Sequence, residues 1–360
     1  MRPQHDQASG ELSARAATAL LIDQALSYVL PAALRAVAVL GVADRLADGP
    51  LPVDDLAGRA GVDQGNLLRV LRVLATGGVV EELDDGRFRL TDLGQPLRSD
   101  APLPAGPAIL MLTDVSLWRP AGELERCLRQ GGPIFQELFG GSFFEYVAQH
   151  ESTATAFHNG MAAFSDQENA LIAAAYDFPE TGTVVDVGGG RGGFLLEVLR
   201  RRPDLRGILL DEPHVVTAHR LDEPEVEGRW EPAPGDFFAQ VPAADVHVLK
   251  RVLHDWDDER CVTILRNCRR ALAPGGRVLV IDAVVPRGND PHQAKALDML
   301  LMAAFPGRER TRAEFEGLFA AAGLRLSRIV PTGTVLSVME TCAAFSDGRP
   351  APPRGLLADP

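Results

Sequence analysis

Paired cysteines are missing from this chain of 360 residues. Its four cysteines, Cys127, Cys261, Cys268 and Cys342, make no Cys-x-x-Cys step, and its eight histidines form no cluster with metal-ligand spacing. A metal site is therefore not expected, and the cysteine usage fits a reducing cytoplasm. Positive charge is also short. Lys and Arg number 36 against 49 Asp and Glu, a formal net charge of −13. A chain this acidic gains nothing from phosphate backbones, so nucleic acid is not an expected partner. Met1 to Gly10 is polar and lacks an apolar signal core. No apolar run reaches the roughly 18 residues of a membrane helix, so the expectation is a soluble, cytoplasmic protein without a membrane partner.

Apolar residues make up 46% of the chain, enough for a sizeable core, and the length favours two domains or one large one. Residues 1–12 read as disordered. Residues 13–100 begin with an apolar helical pattern from Ser13 to Leu46, with Pro31 as kink or boundary. A short helix over Val53 to Arg59, a turn at Gly61 and a second helix capped by Asp63 and running to Thr76 follow. Val79 to Leu83 and Arg87 to Leu90 then read as a hairpin. This is a winged-helix pattern. It could meet DNA through Arg69 and Arg72 or pack against another subunit. Leu67, Leu68, Val70, Leu71, Val73 and Leu74 make the second helix too apolar for a free groove reader, so subunit packing is the expectation.

Residues 101–178 read as helical and rich in large apolar side chains. Some of them, such as Met111, Trp118, Phe157 and Met161, suit the lining of an apolar cleft. From 179 to 340 strands and helices alternate, which predicts a doubly wound, mostly parallel sheet closed by an antiparallel pair. Cys261 and Cys268, two turns apart, mark the buried face of one helix. Residues 341–360 read as a tail.

The chemistry concentrates at the predicted strand ends. Asp186-Val187-Gly188-Gly189-Gly190-Arg191-Gly192-Gly193 follows the first strand, where glycines let backbone approach a ligand at a helix N-terminus. A nicotinamide dinucleotide site uses a similar turn. Asp186, however, would repel a pyrophosphate and suits an ammonium or sulfonium. Asp211 ends the second strand, where an acid accepts ribose hydroxyls. Asp236-Phe237 follows the third and offers an acid and a ring to an adenine. That set favours S-adenosylmethionine. His254, in His254-Asp255-Trp256-Asp257-Asp258-Glu259, stands past the fourth strand as a candidate base. Asp282 and Glu309 are the acids placed to flank it.

These residues resemble the S-adenosylmethionine-dependent O-methyltransferases of the caffeate/hydroxyindole type, over about Ala16 to Glu340. Leu249-Lys250-Arg251-Val252-Leu253-His254-Asp255-Trp256-Asp257-Asp258-Glu259 is the most specific stretch. Asp186 to Gly193, Leu210 to His214, Gly235 to Phe238 and Gly307 to Thr311 add to it. The resemblance implies a winged-helix dimerisation domain, a helical substrate lid and a class I methyltransferase domain. It further implies a homodimer and a small aromatic hydroxyl substrate, with antibiotic or secondary-metabolite tailoring as the setting. It implies cofactor contacts at Asp186, Gly188, Gly190, Asp211, Asp236, Phe237, Lys250 and Ser165. His254 is the implied base, bracketed by Asp282 and Glu309. Met111, Trp118, Phe157, Met161, Asp255, Met302 and Phe305 are implied on the substrate side. Plant members usually carry glutamate where Asp282 stands, one methylene longer. Three other readings stay open: a nicotinamide-dependent dehydrogenase, a ligand-sensing regulator built on the winged helix, and a family member turned to hydroxylation or decarboxylation.

Overall fold

The computed structural model describes residues 12–344. The stretch 1–12, expected to be disordered, lies outside the described residues except for Leu12. So does the expected tail from 345 onward. The chain divides into two compact units, Met1–Gln167 and Glu168–Pro360. The division falls inside a continuous helix, not at the expected step between 178 and 179.

The first unit opens with α1 (Ala14–Leu26), α2 (Val29–Val39) and α3 (Val42–Arg45). Pro31 does not kink a helix. The break comes earlier, at Ser27 and Tyr28, and Pro31 lies in the first turn of α2, where a missing N–H costs nothing. One expectation is corrected here. Ala14–Val39 is long and apolar enough to cross a membrane by length and composition. Scattered charges such as Arg15, Asp23 and Arg35 hide this from a search for unbroken apolar runs. No residue of α1 is buried within the unit, and Leu21 is 67% exposed.

Next come β1 (Leu51–Pro52), α4 (Val53–Ala60), α5 (Gln64–Thr76), β2 (Val80–Glu82) and β3 (Arg87–Leu90), with the strands ordered β1-β3-β2. Asp63 caps α5 by accepting from Asn66 N at 2.8 Å. Such a cap contributes about 1 kcal/mol. Leu67, Leu71 and Leu74 recur at helical spacing and are buried with Phe88, while Arg72 turns outward to Glu82 at 2.9 Å. Then follow α6 (Gly106–Leu112), α7 (Val115–Ala121), α8 (Leu124–Gln130), α9 (Phe135–Phe139), α10 (Phe143–Gln149) and the 25-residue α11 (Glu151–Ala175), which carries the chain into the second unit.

The second unit alternates β4 (Thr181–Val187), α12 (Gly193–Arg201), β5 (Asp204–Asp211), α13 (Pro213–Val216), β6 (Trp230–Pro234), β7 (Ala244–Lys250), α14 (Asp258–Ala271), β8 (Leu272–Ala283), α15 (Gln293–Ala304), α16 (Arg312–Ala321), β9 (Leu324–Pro331) and β10 (Leu336–Ala343). The sheet runs β6-β5-β4-β7-β8-β10-β9, with β10 antiparallel to both neighbours. Because β10 continues to Ala343, the structured domain extends three residues past the expected boundary at 340. Alternate residues of each strand feed opposite faces. Val184, Leu209, Val248 and Ile281 pack with α12, whereas Val185, Leu210, Leu249 and Val280 pack with α14 and α16. Cys261 and Cys268 are fully buried on α14, as their spacing predicts. β4 is paired in parallel with β5 on one side and β7 on the other. The strand order reverses between them, and a crevice forms there at the carboxyl ends of open α/β sheets.

Candidate active site

Every strand end at that crevice delivers a polar residue. After β4, Gly188 N donates to Leu210 O at 2.8 Å, joining the glycine turn to β5. Gly190 takes φ +59, and a Cβ built there meets nothing within 4 Å. It therefore faces open space, as a ligand cradle requires. Asp211, at the end of β5, accepts Gly190 N and Glu212 N, each at 2.7 Å. Burial raises its pKa and those two donors oppose the rise. Asp186 is 2% exposed, and its Oδ2 is buried with no hydrogen-bond partner among the described residues. Burial pushes its carboxyl up to about 7, against the pull of Lys250 at the end of β7. A buried carboxylate oxygen left unpaired costs free energy that a cationic ligand would recover. Asp236 accepts from Phe238 N at 2.8 Å and so shapes the loop that presents Phe237. These residues fit a cationic adenosine ligand.

His254 lies in a single 3₁₀ turn, Leu253–Asp255, directly after β7. It is 6% exposed. Its Nδ1 stands 3.1 Å from Glu309 Oε1, and its Nε2 stands 3.5 Å from Asp255 Oδ1. Burial alone would lower the imidazole pKa. Asp255, Glu309 and Asp282 outweigh it and raise the group to about 9. Asp282 departs from its expected role. Both its carboxylate oxygens are buried without a hydrogen-bond partner among the described residues, so it does not clasp the imidazole. It acts through charge alone, and burial raises it to about 7. Its side chain is one methylene shorter than glutamate. Asp255, expected on the substrate side, is the acid beside Nε2, and burial pushes it up to about 6.

The first unit places the remaining expected residues. Met111 is buried, and α6 and α11 approach so closely there that a Cβ at Gly160 would collide with it. Trp118 is 38% exposed. Phe157 packs edge-on against Phe143, 5.1 Å between centroids, while Met161 and Ser165 are half-buried on α11. In the second unit, Met302 is half-buried on α15 and Phe305 is buried just past its end.

Four features escaped sequence reasoning. Fully buried Arg310 clamps the histidine turn, donating to Leu253 O and Trp256 O at 2.8 Å each and to Asp258. Gly307 abuts the turn's backbone: a Cβ there would stand 2.5 Å from Trp256 N and closer still to His254 O. Asn267 Nδ2 donates to the carbonyls of Phe237 and Phe238 at 2.9 and 2.8 Å. Arg251 forks onto Glu168, both buried. Gly307 and Arg310 had a signal in the Gly307 to Thr311 motif, and Arg251 had one in the Leu249 to Glu259 stretch.

The chain is similar to known proteins over most of its length. Residues 122–325 match the O-methyltransferase domain family and residues 22–100 the O-methyltransferase dimerisation domain. The phenazine O-methyltransferase PhzM of Lysobacter antibioticus is 39% identical over 326 residues, which are 90% of this chain and 95% of that protein. The structure of CalO1, a methyltransferase in calicheamicin biosynthesis bound to S-adenosylhomocysteine, superposes with a TM-score of 0.85 at 50% identity, covering 93% of this chain and all of that one. NcsB1, an O-methyltransferase from neocarzinostatin biosynthesis solved with S-adenosylmethionine and 2-hydroxy-5-methyl naphthoic acid, gives 0.74 at 34% identity, over 87% of this chain and 95% of its own.

Proposed function

The chain belongs to the S-adenosylmethionine-dependent O-methyltransferases, and on that premise we propose that it methylates a phenolic hydroxyl of a small aromatic natural product with His254 as general base. The observation that carries this reading is the buried imidazole just past β7, with Glu309 on Nδ1 at 3.1 Å and Asp255 beside Nε2 at 3.5 Å. S-adenosylmethionine supplies an electrophilic methyl on a sulfonium. Asp186, Gly188, Gly190, Asp211, Asp236, Phe237, Lys250 and Ser165 are proposed to hold it. The relatives named above act on or in the biosynthesis of aromatic and antibiotic compounds, which supports the substrate class. Met111, Trp118, Phe157, Met161, Met302 and Phe305 are proposed as ring contacts. The unburied apolar face of α1, which runs into the matched dimerisation domain at residue 22, is proposed to pack against a second copy, and the enzyme is proposed to work in the cytoplasm as a homodimer.

Glu309 holds the imidazole by Nδ1, leaving Nε2 to take the hydroxyl proton. Moving a proton from a phenol at about 10 to a reference imidazole at about 6.5 is uphill by roughly 5 kcal/mol. With His254 raised to about 9, the gap shrinks to roughly 1.4 kcal/mol. The same carboxylates keep most of the imidazole protonated at neutral pH. A base must start neutral, so kcat/KM is expected to climb with pH, about tenfold per unit from 7 toward 9. A flat profile across that range contradicts the base role.

Asp186 gives a second expected result. A cationic ligand favours its carboxylate, lowering its pKa from about 7. Binding then releases a proton near neutral pH, and affinity rises as pH rises through 7. Calorimetry of S-adenosylhomocysteine binding in buffers of different ionisation enthalpy measures this. Zero proton release would remove Asp186 from the ligand's charged end.

The reading as a whole is tested by mass spectrometry of a phenol panel incubated with the enzyme and isotopically labelled S-adenosylmethionine. Label on a phenolic oxygen supports it. Label on no member, with bound donor intact, counts against a phenolic acceptor.

A further inference from the structure

Arg251 has no assigned task, yet its backbone is exceptional. Among the described residues it is the one non-glycine with positive φ, at 56°. A side chain persists in that left-handed region only where its surroundings over-determine it, and such residues cluster at active sites. Here they do. Arg251 N donates to Ile281 O at 3.0 Å, the residue before Asp282. Its Nη2 donates to both Glu168 carboxylate oxygens, at 3.0 and 2.9 Å, and its Nε donates to Oε2 at 3.3 Å. Arg251 is 6% and Glu168 8% exposed. Bidentate geometry of this kind fixes both orientation and charge.

We propose that Arg251 is a positioning residue for the base: pinned by Glu168, it holds the turn that carries His254 and sets a fixed cation against the surrounding carboxylates. This rests on the base reading above. The groups around His254 come from several elements. Asp255 belongs to the turn itself, and Asp282 ends β8. Glu309 and Arg310 come from the segment between α15 and α16. Asp298 of α15 accepts from Glu309 N at 2.8 Å, and Cys261 of α14 bonds Leu253 O at 3.1 Å. Three carboxylates thus crowd one imidazole in a buried space. Arg251 favours the ionised forms of Asp255 and Asp282. Lysine could supply the charge but not the two-pronged grip.

The two members of the pair carry opposite charges, and this separates positioning from mere folding. Removing the cation that faces the carboxylates around His254 is expected to raise its titration midpoint, and removing the anion that pairs with that cation to lower it. The experiment is an NMR titration of the His254 imidazole, with neither donor nor acceptor present, alongside the pH profile of kcat/KM. Arg251→Met is expected to move the midpoint and the rising limb up, and Glu168→Gln to move both down. The double variant is expected to return both close to the starting value. Arg251→Lys is expected to leave the midpoint in place while kcat falls about tenfold through lost alignment, with donor affinity unchanged. Arg251→Lys and Glu168→Gln carry the test if Arg251→Met does not fold. Equal losses of kcat with an unmoved midpoint, or a midpoint moving the same way in both single variants, would overturn the proposal. If His254→Gln keeps full turnover the base reading fails instead, while the NMR midpoint still reports whether Arg251 acts on the imidazole.

Discussion

Replacing His254 with glutamine or alanine is expected to lower turnover by about 10²–10⁴-fold, the usual worth of a positioned general base. The motive is the imidazole's setting: buried, held at Nδ1 by Glu309 and pressed by Asp255 and Asp282. Affinity for S-adenosylhomocysteine is expected to survive, because the residues proposed to hold the donor are other side chains. Activity should not vanish. Holding oxygen and methyl in line contributes about 7–11 kcal/mol by itself, and that part remains. Single-turnover rates with a labelled donor make the comparison. A glutamine variant as fast as the parent would show that the hydroxyl loses its proton elsewhere.

Gly307→Ala is expected to be nearly as damaging, although position 307 lends no side chain to the chemistry. The added methyl meets backbone, not a flexible side chain: His254 O, Asp255 C and Trp256 N all stand in its way. Overpacking of this kind costs about 1–3 kcal/mol of stability. The larger expected effect is on rate, since shifting the histidine turn by about 1 Å costs roughly 10²-fold. Gly317, within α16, gives the control, because nothing lies within 4 Å of a Cβ there. Alanine at 317 is expected to be neutral or to stabilise by up to about 1 kcal/mol through helix propensity. Thermal melts and kcat for the two variants check both statements. If alanine at 307 matches alanine at 317, the close approach has no functional consequence.

The two glycines also show where sequence reasoning stops. Gly307 stands in a quoted motif and Gly317 does not, but neither position shows in the sequence what its Cβ would meet. Only the folded chain brings one of them against the backbone of residues some fifty positions earlier. Elements with local causes were legible. α14 spans Asp258–Ala271 and buries Cys261 and Cys268 on one face, as their spacing predicts, because Asp257 caps it and its apolar residues keep that face. The β4, β5, β7 and β8 ends carry the acids and the histidine as read, since the alternation of strand and helix places them on one rim. α15 went unread as a helix. It lies between proline-containing loops, and its buried face is largely alanine (Ala294, Ala303 and Ala304), which gives little hydrophobic period. Long-range pairing left no trace either. Glu168 and Arg251 are 83 residues apart, and nothing near either one announces the other. Asp282 was read as an acid flanking His254; its carboxylate oxygens find no hydrogen-bond partner among the described residues, which leaves its charge in play.

The order of strands has a consequence for how the chain is made. Among the described residues β10 is the last strand along the polypeptide, yet it sits between β8 and β9. While synthesis proceeds, β8 keeps an unpaired edge next to Asp282, and β9 has no sheet to join. An open edge of that length invites pairing with a neighbouring chain. The crevice wall at β8 is therefore finished only when β10 pairs with it, and a message truncated before Leu336 is expected to yield aggregate instead of a weakened enzyme.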